Sequence, residues 1–368
     1  TMQNLKLAKL EKLILENELD VVALIPSPNF FWLTGQHKHL MERPTTLIIA
    51  PGKKPALVIA GFEVGSLTKA DIPMDAFPFD DDPAHWTDAF RAAGEALGLR
   101  SSRIGVESIH FRFLETQFLR QAVPGCEVVA ADALFSRLRL MKSDEEIACM
   151  RQAALIAQGA LEETLKIVKP GVTEREIAAE LVLQMLRLGS DSNLAFDPIV
   201  AGGPNSADPH AAVSDRPLQK GDFLLFDWGA RYRGYCSDIT RTFGIGELSD
   251  EQKKIHRTVV AANRAAVDAA RPGVACGSID AAARKVITDA GYGEYFTHRL
   301  GHGLGLEAHE PPYMFGRNEQ LLQPGMVFTD EPGIYIPGEG GVRIEDDIAV
   351  TADGQMNITD FPRELRIL

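Results

Sequence analysis

Cysteine is scarce in this chain: four in 368 residues, at Cys126, Cys149, Cys236 and Cys276, with no CxxC pair. That spacing excludes a disulfide framework or a structural zinc knuckle as the basis of the fold, and reduced thiols in a cytoplasmic setting are expected. Long apolar runs are missing as well. No stretch approaches the roughly 20 residues of a membrane span. The opening segment mixes Lys6, Lys9, Glu11, Lys12, Glu16 and Glu18 with leucines, as an amphipathic helix does and a signal peptide does not. Positive charge is in deficit, 38 Lys and Arg against 51 Asp and Glu, for a net charge of −13. Such a surface neither neutralises a phosphate backbone nor adheres to an anionic membrane. It attracts cationic groups, among them peptide amino termini and metal ions. A dinucleotide loop is absent too, because the glycine run 301–305 lacks both the GxGxxG spacing and a strand–turn–helix setting.

What is present is an ordered alternation of helix and strand signals. Leu5 to Asn17 has helical periodicity, and Val21 to Ile25 reads as a buried strand. Thr45 to Ala50 and Pro55 to Ala60 read as strands around the turn Pro51-Gly52-Lys53-Lys54. Arg103 to Glu107 and Glu127 to Ala131 are further strands, with a helix from Arg112 to Gln121 between them. An α/β domain is therefore expected over residues 1–135. A boundary falls near Phe135–Ser143, and a second domain is expected over residues 143–368.

In that second part, Ser143 opens a capping box before a helix reaching to Val168, and Thr173 with Glu176 opens another. Beyond Gly189, strand-like runs alternate with glycine-rich turns: Phe223 to Trp228, Ile239 to Phe243, Met326 to Thr329, Gly341 to Glu345 and Ile348 to Thr351. The helices Asp250 to Ala270 and Ser278 to Ala290, split by Pro272-Gly273, echo the earlier pair split by Pro170-Gly171. Two related halves are implied.

Asp227, Asp238, Glu331 and Glu345 each sit at the end or start of such an apolar run. A carboxylate leaving a buried strand is costly unless it is paired or metal-bound. Converging without matching Lys or Arg, these acids would repel one another, and divalent cations remove the conflict. Carboxylate oxygens with the imidazole of His302 suit Mn²⁺, Co²⁺ or Zn²⁺. His302 is flanked by Gly301 and Gly303, which permit close backbone approach. His298 and His309 lie nearby in sequence, and His210 closes the loop 202–210.

The segments Phe226-Asp227-Trp228-Gly229-Ala230, Ser237-Asp238-Ile239-Thr240-Arg241-Thr242, Gly301-His302-Gly303-Leu304-Gly305, Glu307-Ala308-His309-Glu310, Glu331-Pro332-Gly333-Ile334-Tyr335 and Gly341-Val342-Arg343-Ile344-Glu345-Asp346 resemble, in order and spacing, the pita-bread metallopeptidases. The match is to the proline-specific branch, Xaa-Pro aminopeptidase and prolidase (Xaa-Pro dipeptidase). It covers the chain from about residue 143 to its end, and the first domain resembles the creatinase-type N-terminal domain of the same branch.

The resemblance implies a pita-bread catalytic domain with two pseudo-related halves. It implies a dinuclear metallo-exopeptidase that cuts the Xaa-Pro bond, at a peptide N-terminus or in a dipeptide, by attack of a hydroxide bridging two divalent ions, manganese first and cobalt or zinc as alternatives. Asp227 would chelate one ion and His302 with Glu331 the other, while Asp238 and Glu345 would bridge both. Glu331 would pass the proton to the leaving nitrogen. His210 and His309 would contact substrate and steady the oxyanion, His298 would line the pocket, and Arg343 would support the site. The partners implied are small peptides with proline second, and a second copy of the chain in a homodimer. Alternatives on the same fold are a general or methionine-type aminopeptidase and a creatinase-like C–N hydrolase. The latter works without metal and would lack several of the five ligands, none of which is missing here. One departure is Asp330, an acid where the family carries an apolar residue. Strand alternation is expected to point it away from its neighbour Glu331.

Overall fold

The computed structural model describes residues 2–368, and the contacts within it separate two units, one reaching to Arg139 and the other running from Leu140 to Leu368. Among the described residues of the first unit, six strands form one sheet. Its order is Asp75–Phe79, Ala56–Ala60, Thr46–Ile49, Val21–Leu24, Arg103–Val106 and Glu127–Ala130. Val21–Leu24 runs antiparallel to Thr46–Ile49 and parallel to Arg103–Val106. It is therefore buried throughout and reads as an unbroken apolar run. The helices Trp86–Leu97 and Phe113–Ala122 cover the sheet through Phe90, Ala93, Leu97 and Leu119. The segment Asp75–Phe79 escapes a sequence reading because it is a half-exposed edge strand carrying Pro78. Edge positions tolerate proline and show no apolar alternation.

In the second unit the helices come in two pairs. Asp144–Thr164 packs with Glu174–Arg187, and Asp250–Ala269 packs with Cys276–Asp289. The capping boxes at Ser143 and Thr173 are both formed, and a third, Ser249 with Gln252, starts the second pair. Each box satisfies otherwise unpaired amides at a helix start. The first pair buries Ile156, Leu161, Ile177, Leu181 and Met185 against Phe226 and Trp228. The second buries Val259, Ala266, Ile279 and Ile287 against Phe328 and Ile348. Each pair thus covers the outer face of its own sheet. One sheet has the order Ile239–Gly244, Phe223–Trp228, Ile199–Gly202. The other has the order Glu310–Met314, Gly301–Gly303, Val327–Asp330, Asp346–Val350, Gln355–Asn357. A bridge between Thr240 and Glu345 links the two sheets. With helices on the outside, the inner faces of the sheets are left for polar side chains. Among the described residues, no helix is long and apolar enough to cross a membrane.

Candidate active site

Strand register decides where the acids emerge. Asp227 stands opposite Thr240, and Trp228 opposite Ile239. Alternation sends Phe226 and Trp228 into the helix-packed core and Asp227 to the inner face. The Trp228 indole is fixed from behind, donating to the Ala157 carbonyl at 2.8 Å. Asp238 lies two positions before Thr240, hence on that same inner face. The two aspartates are offset along the strand pair rather than directly opposed.

Glu345 arrives from the other half. Its amide donates to the Thr240 carbonyl at 3.0 Å, and its carboxylate accepts the Thr240 hydroxyl. His302 sits on Gly301–Gly303, where its amide donates to Thr329 Oγ1 at 3.0 Å, and Thr329 in turn donates to Glu331 Oε1 at 3.1 Å. The flanking glycines serve the sheet rather than the site. A Cβ at Gly301 would overlap the Thr329 carbonyl, and one at Gly303 the Pro311 carbonyl.

The result is a cluster of acceptors. Ligand atoms of Asp238, His302 and Glu345 all lie within 4.8 Å of one another. His302 Nδ1 faces the Gly303 carbonyl at 3.0 Å, to which it can only donate. In the neutral ring this leaves the Nε2 lone pair toward Glu331 Oε1, 3.2 Å away, and Asp238 Oδ2, 3.7 Å away. Asp227 Oδ1 and Asp238 Oδ1 are buried with no hydrogen-bond partner among the described residues. One guanidinium, Arg343, reaches the cluster, through Nη2 to Asp227 Oδ2 at 2.5 Å. Burial, then the neighbouring carboxylates, Glu345 foremost, push Asp238 well above the usual range. Burial and the charges of Glu331 and Asp227 do the same to Glu345. For Glu331, burial is outweighed when the His302 ring carries a proton on Nε2, whose hydrogen bond and charge bring its carboxyl down to about 2. Four acids, Asp238 and Glu345 buried and Asp227 and Glu331 part-buried, facing one guanidinium and an imidazole lone pair form a set that divalent cations would satisfy.

These residues line a cavity of about 550 Å³. The same wall carries His210, His298, His309 and Arg343, so the expected ligands and the expected substrate-contacting residues meet at one place. The His309 ring centroid is 3.9 Å from that of His302. Burial and then the field of His302 lower its pKa to about 4, so at neutral pH it offers an uncharged N–H. His298 is likewise lowered by burial. His210 is exposed at the cavity wall, its amide donating to Asp208 Oδ1 at 2.9 Å.

Asp330 does turn away. It is absent from the cavity wall, fully buried, and paired in the strand register with Asp346, which Arg241 and Arg363 hold. Burial and the charge of Asp346 push its carboxyl well above the usual range.

Several residues that hold the cluster in place carry no signal of their own in the sequence. The Tyr335 hydroxyl accepts from Arg343 Nη1 at 2.9 Å and lies 2.9 Å from His298 Nε2. Thr240 accepts from Arg343 Nε at 3.1 Å as well as serving Glu345. Asp347 Oδ2 accepts the Asp238 amide at 3.0 Å. Tyr335 and Thr240 stand inside the motif segments, but nothing in their spacing told which neighbours their hydroxyls would reach. Phe196, Ile199, Pro209 and Ala308 add the apolar part of the wall.

Comparison with known proteins bears on the whole chain. The profile of metallopeptidase family M24 matches residues 148–352, and that of the creatinase/prolidase N-terminal domain matches residues 6–141. The Xaa-Pro dipeptidase of Pyrococcus horikoshii is 36% identical over 366 residues, 99% of each chain. Among solved structures, the Xaa-Pro dipeptidase from Bacillus anthracis superposes with a TM-score of 0.91 at 36% identity, covering 100% of both chains. The X-Pro aminopeptidase from Thermotoga maritima reaches a TM-score of 0.84 at 31% identity, covering 95% of this chain and 98% of its own.

Proposed function

The chain belongs to metallopeptidase family M24, with a creatinase/prolidase N-terminal domain ahead of the catalytic one, and we propose from that premise that it hydrolyses the Xaa-Pro bond of small peptides. The observation that carries this reading is the single cavity on which Asp227, Asp238, His302, Glu331 and Glu345 meet His210, His298, His309 and Arg343. The chain also matches an Xaa-Pro dipeptidase along its full length. Asp227, Asp238, His302, Glu331 and Glu345 would hold two divalent ions, Asp238 and Glu345 shared between them. When bound, such ions supply Lewis acidity and make a hydroxide nucleophile available near neutral pH. Manganese is the first choice and cobalt or zinc the alternatives, because the donors are mainly carboxylate oxygens.

The protein's own residues do the rest. Glu331 accepts a proton from the attacking water and delivers it to the proline nitrogen as the C–N bond breaks. His309 and His210 would face the carbonyl, and the uncharged imidazole N–H of His309, donated to the developing oxyanion, stabilises it without itself changing charge. Arg343 holds Asp227 in place and, through Tyr335, the His298 wall of the proline pocket. The working unit is a homodimer, as the family resemblance implies. The compartment is the cytoplasm, in keeping with cysteines that are all free.

Steady-state hydrolysis of Ala-Pro, Ala-Pro-Ala and Ala-Ala-Ala tests the reading. A proline ring has no amide hydrogen, so a pocket shaped for it leaves the donor of a secondary amide unpaired, at about 1–3 kcal/mol. The expected preference in kcat/KM is therefore roughly tenfold to a hundredfold. Equal rates on Ala-Pro-Ala and Ala-Ala-Ala would instead make the protein a general aminopeptidase. Cleavage of Ala-Pro but not Ala-Pro-Ala marks a dipeptidase, and the reverse an aminopeptidase.

A further inference from the structure

The stretch Phe296 to Leu300 leads into the strand that carries His302 and brings His298 to the cavity wall, yet it belongs to no helix or strand. Among the described residues, no backbone-to-backbone hydrogen bond reaches Phe296, Thr297, His298 or Arg299. The stretch is held instead by two side chains of the helix Cys276–Asp289. Arg284 Nη1 donates to the Phe296 carbonyl at 2.9 Å, and Nη2 to the His298 carbonyl at 2.8 Å. The same guanidinium lies over the Phe296 ring, 4.1 Å from its centroid, and that ring meets His298 edge-on at 5.2 Å. Asp280, one helical turn earlier, accepts Arg284 Nε and Nη2 at 3.0 Å each. Its Oδ1 also accepts the Leu300 amide at 2.9 Å, which the Met314 carbonyl shares. Neither Arg284 nor Asp280 lines the cavity.

Asp280 is 2% exposed. A buried ion pair is weak support for stability, since an apolar pair of similar volume holds a fold as well. An apolar pair cannot, however, hold two carbonyls and an amide of a neighbouring loop at fixed points. The planar fork of a guanidinium does so, because its donors leave in set directions. The order it imposes passes inward. His298 Nδ1 faces the Arg299 carbonyl at 2.7 Å, to which it can only donate, so Nε2 accepts from the Tyr335 hydroxyl, 2.9 Å away. Resting on the Xaa-Pro reading, we propose that Arg284, seated on Asp280, is a positioning residue for proline specificity. It touches no substrate. It fixes the backbone on which His298 stands, and with it the ring that faces the pyrrolidine of the substrate. Displacing that ring costs a proline substrate its wall contact and costs an alanine substrate, which has no ring to pack there, much less.

Two variants of the metal-loaded full-length protein test this. Arg284→Lys keeps the charge and loses the fork. Asp280→Asn combined with Arg284→Gln removes both charges together, so no buried charge is left unpaired. Each is assayed on Ala-Pro and Ala-Ala, or on Ala-Pro-Ala and Ala-Ala-Ala, according to the length the wild type cleaves. Each should lose about 10-fold in kcat/KM on the proline substrate beyond its loss on the matched alanine substrate, with metal content by elemental analysis unchanged. His298→Ala should lower the same ratio, and adding Arg284→Lys to it should lower it no further, because the ring being positioned is gone. Equal losses on both substrates, no loss, loss of metal, or effects that multiply in the combined variant overturn the proposal while leaving Xaa-Pro hydrolysis standing. A wild-type protein that cleaves the proline and alanine substrates at equal rates removes the functional reading itself, so the two failures are distinct.

Discussion

His302 Nε2 stands 3.2 Å from Glu331 Oε1, while the ring's other nitrogen faces the Gly303 carbonyl at 3.0 Å. The Gly303 contact is available whatever else is bound, and it keeps Nε2 aimed at the carboxylates. What occupies the space between Nε2 and those acids therefore decides the stability of the cluster. Loading with Mn²⁺ is expected to raise Tm. At a free concentration of 100 times Kd, one site contributes about 2.7 kcal/mol. For a unit of this size that is about 5–10 °C. Calorimetry of chelator-stripped protein with and without Mn²⁺ measures it, and a Tm indifferent to chelation and reloading would contradict the ligand set.

Asp238 and Glu345 should matter more for metal content than His309 does. In the proposed arrangement each of those acids serves both ions, whereas His309 serves only substrate. Asp238→Ala or Glu345→Ala should leave less than about one ion per chain by elemental analysis, and His309→Ala should keep its full complement while losing roughly 10²–10³-fold in kcat. Retention of both ions by Asp238→Ala, with loss from His309→Ala, would reverse the roles.

Tyr335→Phe isolates a hydroxyl. The ring stays in place, but Arg343 loses an acceptor and His298 a partner. The stability cost should be about 1 kcal/mol. The larger effect should fall on kcat/KM for proline substrates, by about 10-fold, because both released groups face the cavity. Tyr335→Phe with unaltered kinetics would reduce the hydroxyl to a structural contact.

His256 supplies a pH dependence away from the catalytic cluster. It is 1% exposed, with Nε2 3.2 Å from the Thr242 carbonyl, and burial lowers its pKa from 6.5 to about 4. A histidine depressed in the folded state binds its proton more readily when unfolded. Its contribution is thus fully present above pH 6.5 and is lost progressively as the pH falls from 6.5 toward 4. A displacement of that size corresponds to about 3 kcal/mol in total. His256→Gln should flatten the fall in Tm between pH 6.5 and 4.5 relative to the wild type, and parallel curves would rule His256 out as a source of acid sensitivity.

Local chemistry was enough to read the elements that carry their own signals. The Ser143 and Thr173 capping boxes start helices because a hydroxyl and a carboxylate three residues on satisfy amides within one turn, whatever the rest of the chain does. The apolar runs before Asp227, Glu331 and Glu345 were equally legible, since a strand that ends in an acid must bring that acid to a polar face. Against this, Asp75–Phe79 became a strand only because a sheet edge accepted it. Within the site, residue types and order pointed to the acids and histidines, but not to how they are held. Whether Asp238 would oppose Asp227 or sit offset from it was decided by strand register. Asp330 and Glu331 were neighbours of like charge until the pleat put one behind the strand, beside Asp346, and the other in the cavity. The contact of Thr240 with Glu345 spans 105 positions, and that of Arg343 with Asp227 spans 116. Partners that far apart along the chain are chosen by the meeting of two sheets, and no spacing within a motif encodes that.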